Sequence, residues 1–378
     1  MSAPATTCVS FTGARGPADS IADCMPSDAV DLATHKNALV TIIVPCYNGA
    51  AFLEEALRSA VAQSYPAVEI IVVDDGSTDS SPEIAQRFPV RYIRQENRGL
   101  SEARNTGIRE SRGSYLVFLD ADDRLLPEAI ECGLHALETH PACAFAVGDH
   151  VFIAADGSHL GNSDKVDTVH SHYEALLKSN FIEMISTVLF RRGIFDEVGG
   201  FDATLRVAED YDLYLRIGRV RPICCHAVIV AQYRMHETNT SLNSELMLTP
   251  TLQVLNRQQR YVRNDAHRLL AFCEGVRCWR KQYGRQLAWE LASSYSTLRP
   301  DHLRRKLRLL AGRYPQGLLL LLLRILPPFS RRNAAPASPS KSRLVRGGAW
   351  TGSGFGAWAA VGLRPGSTSS PKEPAPAK

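Results

Sequence analysis

The sequence predicts an α/β fold: an open, mostly parallel sheet flanked by helices, with a helical extension at the C-terminal end. Three observations predict it. Short continuous apolar runs rich in β-branched residues recur along the chain. Segments with helical apolar spacing lie between them. Each run stops at a turn bearing Asp, Asn or Gly. Runs of this kind fit strands buried on both faces, and their alternation with helices means βαβ units in a doubly wound domain.

The elements follow in order. Residues 1–37 are rich in Ala, Ser, Asp and Pro and read as a loose leader; they hold no apolar stretch of the signal-peptide kind. Leu39–Val44 (LVTIIV) is the first strand. In Ala51–Gln63, Phe52, Leu53, Ala56, Leu57, Ala60 and Val61 recur at helical spacing. Val68–Val73 (VEIIVV) and Tyr115–Leu119 (YLVFL) are further strands. Pro127–Thr139 reads as a helix with Pro in its first turn. Ser186–Arg191, Glu209–Gly218 and the strand-like Ala227–Tyr233 are later short elements. Residues 252–326 read as mostly helical and strongly basic, and 333–378, rich in Pro, Ser, Gly and Ala, as a disordered tail. The expected division is a leader over 1–37, a catalytic domain over 38–250, a basic helical extension over 251–332 and a tail over 333–378.

Composition narrows the function. With 45% hydrophobic and 22% charged residues in 378, the chain is not collagenous, wholly disordered or a disulfide scaffold. The net charge of +4 hides a division: −14 over residues 1–250, +13 over 251–332 and +5 over 333–378. An acidic part joined to a basic part suggests that one handles a cation or an electrophile and the other meets phosphate or a membrane surface. The nine cysteines are odd in number and none has CxxC spacing, which argues against a zinc site or a disulfide framework. The longest apolar run, Gly317–Phe329 broken at Arg324, falls short of the ~20 residues a spanning helix needs. A cytoplasmic location follows, peripheral at the inner face of the membrane if it touches one. No GxGxxG follows a strand and no GxxxxGK[ST] occurs, which disfavours dinucleotide binding and Walker-type ATP hydrolysis. No basic motif with interleaved stacking aromatics occurs, so nucleic-acid binding is not expected.

Three acidic clusters sit where strands or helices end. Asp120 and Asp122, just past a buried strand, are costly unless compensated; a hard divalent cation completed by substrate phosphates would do so, and a turn with Asp123 capping the next helix is the alternative. Asp74 and Asp75, before Gly76 and Ser77, could meet a nucleobase or ribose, or serve as helix caps. Glu209 and Asp210 open an apolar helix, whose dipole favours an ionised carboxylate able to act as a base; a plain N-cap is the alternative. In an open parallel sheet, ligands bind outside the carboxyl ends of the strands, where the strand clusters lie.

Taken in order, VTIIVPCYNGAAFLEEALRSAVAQSYPAVEIIVVDDGSTD, QENRGLSEARNTGIRESRGSYLVFLDADD, RRGIFDEVGGFD, AEDYDLYLRI and YRMHETNTS resemble the inverting family-2 glycosyltransferases of the A-type fold, over about 200 residues from Val40 to Ser241. The resemblance implies a nucleotide-diphospho-sugar donor and a divalent metal, Mg²⁺ or Mn²⁺. It places Pro45, Tyr47 and Asp75 in the nucleotide pocket, with Arg98 and Asn105 near it. Asp120 and Asp122 become the DxD motif, Asp122 on the metal and Asp120 on ribose or on the metal through water. Asp210 of the Glu209-Asp210 pair becomes the general base. His236 approaches the diphosphate or metal, or is a satisfied structural histidine. Phe195, Gly199, Gly200 and Phe201 form a turn that holds the acceptor. The implied reaction is a single in-line displacement with inversion, in polysaccharide, lipopolysaccharide or cell-surface glycan synthesis, onto a glycan or lipid-linked acceptor.

Beyond the resemblance, Arg304, Arg305, Lys306, Arg308 and Arg313 interleave with leucines. Residues 303–332 either lie on an anionic membrane surface or pack on the catalytic domain with a solvated basic face. Two other functions compete. A nucleotidyltransferase would want a Gly-rich, Lys/Arg-bearing loop after the first strand, which PCYNGAAF lacks. A non-catalytic scaffold would be expected to have lost Asp122 or Asp210, and both are present.

Overall fold

In the computed structural model, β1 (Val40–Cys46) is buried along its whole length, as a β-branched run between two layers of helices requires. The structure describes residues 38–163, 171–294 and 299–325. The leader over 1–37 and the tail over 333–378 lie outside them, as does the end of the basic segment from 326. After β1 come α1 (Leu53–Val61), β2 (Val68–Asp74), α2 (Ser81–Ala85), β3 (Arg91–Arg94), α3 (Leu100–Glu110), β4 (Tyr115–Phe118), β5 (Arg124–Leu125) and α4 (Ala129–Thr139). Then follow β6 (Phe145–Ala154), β7 (His159–Asn162), α5 (His172–Lys178), β8 (Val188–Arg191), α6 (Ile194–Val198), α7 (Glu209–Val220) and β9 (Cys224–Met235). The helices α8 (Ser244–Arg257), α9 (Gln259–Val262), α10 (Ala266–Ser294), α11 (Pro300–Arg313) and α12 (Gln316–Ile325) complete the described chain.

The sheet runs β3-β2-β1-β4-β8-β6-β9-β5, with β7 on β6. Strands β3, β2, β1 and β4 are parallel, with Ile43 opposite Ile71 and Phe118. β6 and β9 are also parallel, whereas β8 runs antiparallel between β4 and β6. This is the expected open α/β sheet. Alternate residues of β1 serve its two faces. Ile42 and Val44 pack with Leu57 of α1 and Leu137 of α4, while Ile43 packs with Phe118 and with Ala103 of α3. A Cβ on Gly107 of α3 would lie 2.3 Å from Ile43 Cγ2, so glycine is what lets α3 sit this close to the sheet. From β1 the chain steps outward to β2 and β3, then returns to β4 on β1's other side. That reversal is a topological switch point, and it opens a crevice beyond the carboxyl ends of β1 and β4.

The helical C-terminal region does not stand apart from this body. α8 runs through residue 250, and Phe272, Trp279 and Tyr283 of α10 share one core with Tyr211 and Tyr214 of α7. Leu310 of α11 and Leu321 of α12 close on Leu287 and Leu291 of α10 as a small second core. The leucines of α11 are therefore spent largely on α10, while Arg304, Arg305 and Arg308 face solvent. Leu319 of α12 remains 61% exposed. Among the described residues, no helix is long and apolar enough to cross a membrane.

Candidate active site

The crevice is a cleft of about 560 Å³, and several separated segments supply its polar lining, Arg104 of α3 and Glu183 among them. Pro45 and Tyr47 come from the end of β1, Asp120 and Asp122 from the turn after β4, Glu209 and Asp210 from the start of α7, and His236 from the end of β9. Asp75, Arg98 and Asn105 are not among its lining residues.

Local structure explains each placement. The loop after β1 turns through Asn48 in the left-handed region (φ 52), which Asn tolerates because its short side chain bonds locally. Here Asn48 Oδ1 accepts the Thr78 N–H at 2.8 Å, tying the β1 and β2 loops together. Asp75 is 3% exposed. Its carboxylate accepts hydrogen bonds from Gln95 Nε2 (2.7 Å), Arg98 N–H (2.9 Å) and Gly99 N–H (2.7 Å), which secures the turn into α3. Asn105 donates from Nδ2 to the Phe201 carbonyl and accepts the Phe201 N–H on Oδ1, both at 2.8 Å. A Cβ on Gly200 would meet Asn105 Oδ1 at 2.3 Å. Asn105 thus clamps the Gly199–Phe201 turn. The Arg98 side chain is exposed.

Ala208, ahead of α7, is held at φ 60, a conformation that costs a residue with a Cβ of order 1–3 kcal/mol and that clusters at functional sites. It aims Glu209 and Asp210 into the cleft at the helix start. Glu209 is buried and Asp210 half-buried, with Asp210 Oδ1 accepting the Tyr211 N–H at 2.7 Å. Burial, and then the neighbouring Glu209 charge, push the Asp210 carboxyl up to about 7.

Sequence reasoning missed two arginines that hold this site together. Arg104 of α3 is 2% exposed and bridges two clusters: Nη1 donates to Glu209 Oε1 at 2.6 Å and Nη2 to Asp120 Oδ1 at 2.7 Å. Its guanidinium also lies 5.3 Å from the Phe201 ring centre. Burial opposes its charge, but Asp120 and Glu209 hold the proton on more firmly than usual. Arg234 of β9, fully buried, donates from Nε to the Asp122 carbonyl at 2.9 Å, and its N–H reaches Asp123 Oδ1 at 3.0 Å. Asp123 therefore pins β9 rather than capping α4, and burial beside Asp122 and Asp120 raises its carboxyl well above the usual range. A signal for Arg104 existed. Three acidic ends at one sheet edge call for a cation, and helical spacing places Arg104 with Ala103 and Gly107 on the sheet-facing side of α3.

Among the described residues, no three His, Cys, Asp or Glu side chains close on a single point as a ready-made metal cage. Asp120 spends Oδ1 on Arg104, and Asp122 spends Oδ2 on His236 Nε2 at 2.9 Å, which leaves each a second carboxylate oxygen. Two partly exposed hard oxygen donors fit a Mg²⁺-type ion that takes its remaining ligands from phosphate and water. His236 Nδ1 faces Thr238 Oγ1 at 2.8 Å and its ring stacks on Phe52 at 5.0 Å, so its orientation is fixed from two sides.

Comparison with known proteins accords with this geometry. The sequence model of glycosyl transferase family 2 matches residues 41–199. An uncharacterized glycosyltransferase of Rickettsia typhi is 33% identical over 248 residues, covering 62% of this chain and 78% of that protein. Among solved structures, S. aureus TarS 1–349 in complex with UDP superposes with a TM-score of 0.54 at 18% identity, over 75% of this chain and 83% of that one. The mannosyltransferase PcManGT from Pyrobaculum calidifontis, in complex with GDP-Man and Mn²⁺, gives 0.51 at 19% identity, over 76% and 85%. These two share the fold. On the family match and the Rickettsia relative, the chain belongs to glycosyl transferase family 2 and is a sugar-transferring enzyme.

Proposed function

We propose that the chain moves a sugar from a nucleotide-diphospho-sugar to an acceptor hydroxyl with inversion, in the synthesis of a polysaccharide, lipopolysaccharide or cell-surface glycan. The observation that carries this reading is the convergence of Asp120, Asp122, Glu209, Asp210 and His236 on one cleft at the switch point. The UDP and the GDP-Man with Mn²⁺ named for the two structural neighbours lend support to a nucleotide-sugar donor and a divalent ion.

In this reading Tyr47 and Pro45 flank the nucleotide, and Asp75 with Arg98 acts on it through the turn into α3. Asp122 and Asp120 would hold the divalent ion, with His236, fixed beside Asp122, positioned to meet ion or diphosphate. When bound, the ion offsets negative charge growing on the diphosphate leaving group. Asp210 takes the proton of the attacking hydroxyl as the new bond forms. A carboxyl titrating near 7 suits that task, since a base works best with its pKa close to the working pH. Glu209, paired with Arg104, stands beside Asp210 and contributes to raising its carboxyl. The acceptor is a glycan or a lipid-linked sugar, and for the latter the solvent-facing Arg304, Arg305 and Arg308 of α11 with exposed Leu319 of α12 offer peripheral membrane contact.

Stereochemistry tests the displacement. Proton NMR of the first product is expected to show the anomeric configuration opposite to the donor's. Retention would overturn the single-step mechanism.

A further inference from the structure

A second hollow of about 190 Å³ adjoins the cleft and shares Asp210 and Tyr233 with it. Its far wall is one face of α10: Trp279, Gln282, Tyr283 and Gln286, spaced i, i+3, i+4, i+7. These residues lie beyond the stretch matched by the family model, which ends at 199. We propose that this hollow is the subsite for the terminal, uncharged sugar ring of the acceptor, and that α10 supplies its selectivity. The proposal rests on Asp210 being the base, because the ring's attacking hydroxyl must reach it.

Three properties of the hollow point to a neutral sugar. Its walls combine aromatic rings with side-chain amides: Trp279 and Tyr283 stack at 5.5 Å, and Gln282 stands half-buried beside them. Ring faces take the apolar C–H surface of a pyranose, and an amide both donates to and accepts from hydroxyls. The lining holds two acids, Glu183 and Asp210, and no Lys, Arg or His, so a phosphate would be repelled there. The third is position: the hollow opens beside Asp210, which it shares with the cleft, so a ring seated there can bring a hydroxyl to that carboxylate. The wall is also held in place. Trp279 Nε1 donates to Tyr211 Oη at 3.3 Å, Tyr211 Oη donates to the Leu176 carbonyl at 2.6 Å, and Gln286 Nε2 donates to the Leu242 carbonyl at 2.7 Å. Among the described residues Gln282 has no hydrogen-bond partner, and it lines a site the other residues have already shaped.

The test uses the full chain and a panel of uncharged methyl glycosides (glucoside, galactoside and N-acetylglucosaminide, both anomers), read by saturation-transfer NMR. UDP and GDP binding is measured on the same samples. At least one glycoside is expected to bind the wild type. Gln282→Leu, close in volume but without the amide, is expected to weaken that glycoside about tenfold, with Gln282→Ala as a second variant and nucleotide binding unchanged in both. Nucleotide binding with no glycoside bound, or with equal glycoside binding in both variants, overturns the subsite and leaves the transferase reading standing. Loss of nucleotide binding in the wild type as well overturns both.

Discussion

Arg104 of α3 and Glu209 of α7 are joined by a 2.6 Å ion pair with both side chains buried, linking a helix laid on the sheet to the helix that starts at the proposed base. The same guanidinium holds Asp120, so one cation balances two of the three acidic clusters. Arg104→Met would leave Glu209 and Asp120 without their partner. A loss of about 3–5 kcal/mol is expected, as for breaking other buried pairs from one side. Urea unfolding checks it, and a change below about 1 kcal/mol would mean that the pair does not organise the site.

Asp210→Asn should separate function from stability. Removing the base is expected to cut transfer by roughly 10²–10⁴-fold. The Asp210 carboxyl is raised in the folded chain, so its ionised form destabilises the fold as pH rises from the unfolded value through about 7. The amide removes that cost. At pH 8 the variant should melt higher than the wild type, by about 2–4 °C for each kcal/mol recovered. A lower melting temperature with full activity would contradict both halves.

The pH profile follows from the same group. A base must be unprotonated, so kcat is expected to rise with unit slope in log–log form up to about pH 7 and to level off above it. A bound divalent cation nearby favours the ionised form, so more Mn²⁺ should move the limb to lower pH. A profile flat from pH 5 to 8 would remove Asp210 from the proton transfer.

Much of the fold was legible in the sequence because burial on both faces of a parallel sheet writes itself as unbroken apolar runs. Val68–Val73 and Tyr115–Leu119 became β2 and β4 nearly to the residue. β6 was not read, because Gly148, Asp149 and His150 interrupt its apolar run although the strand is buried through nine of its ten residues. α3 was not read as a helix for a related reason: its buried face is Ser101, Ala103, Arg104 and Gly107, small or charged rather than apolar. The site shows the same limit. Carboxylates at strand ends announce themselves, whereas Arg104 and Arg234 act from inside elements, where a cation reads as a surface residue until its partners are placed beside it.

Asn105, expected near the nucleotide, lies outside the cleft lining and bonds to the Gly199–Phe201 turn instead. Its two hydrogen bonds to Phe201 hold the turn expected to carry the acceptor. Asn105→Ala should cost about 1–3 kcal/mol by leaving backbone groups unpaired. It is also expected to raise the acceptor KM more than the donor KM. Steady-state kinetics varying each substrate in turn decide this, and an effect confined to donor KM would place Asn105 at the nucleotide instead.

Turnover of the donor tests the central claim most directly. Purified chain is incubated with a panel of UDP-, GDP- and TDP-sugars, with Mn²⁺, with Mg²⁺ or with EDTA, and release of nucleoside diphosphate is measured beside Asp122→Ala. The wild type is expected to consume at least one donor with a divalent cation and none with EDTA, and the folded variant to consume none. No turnover of any donor, or equal turnover by Asp122→Ala, would contradict the account.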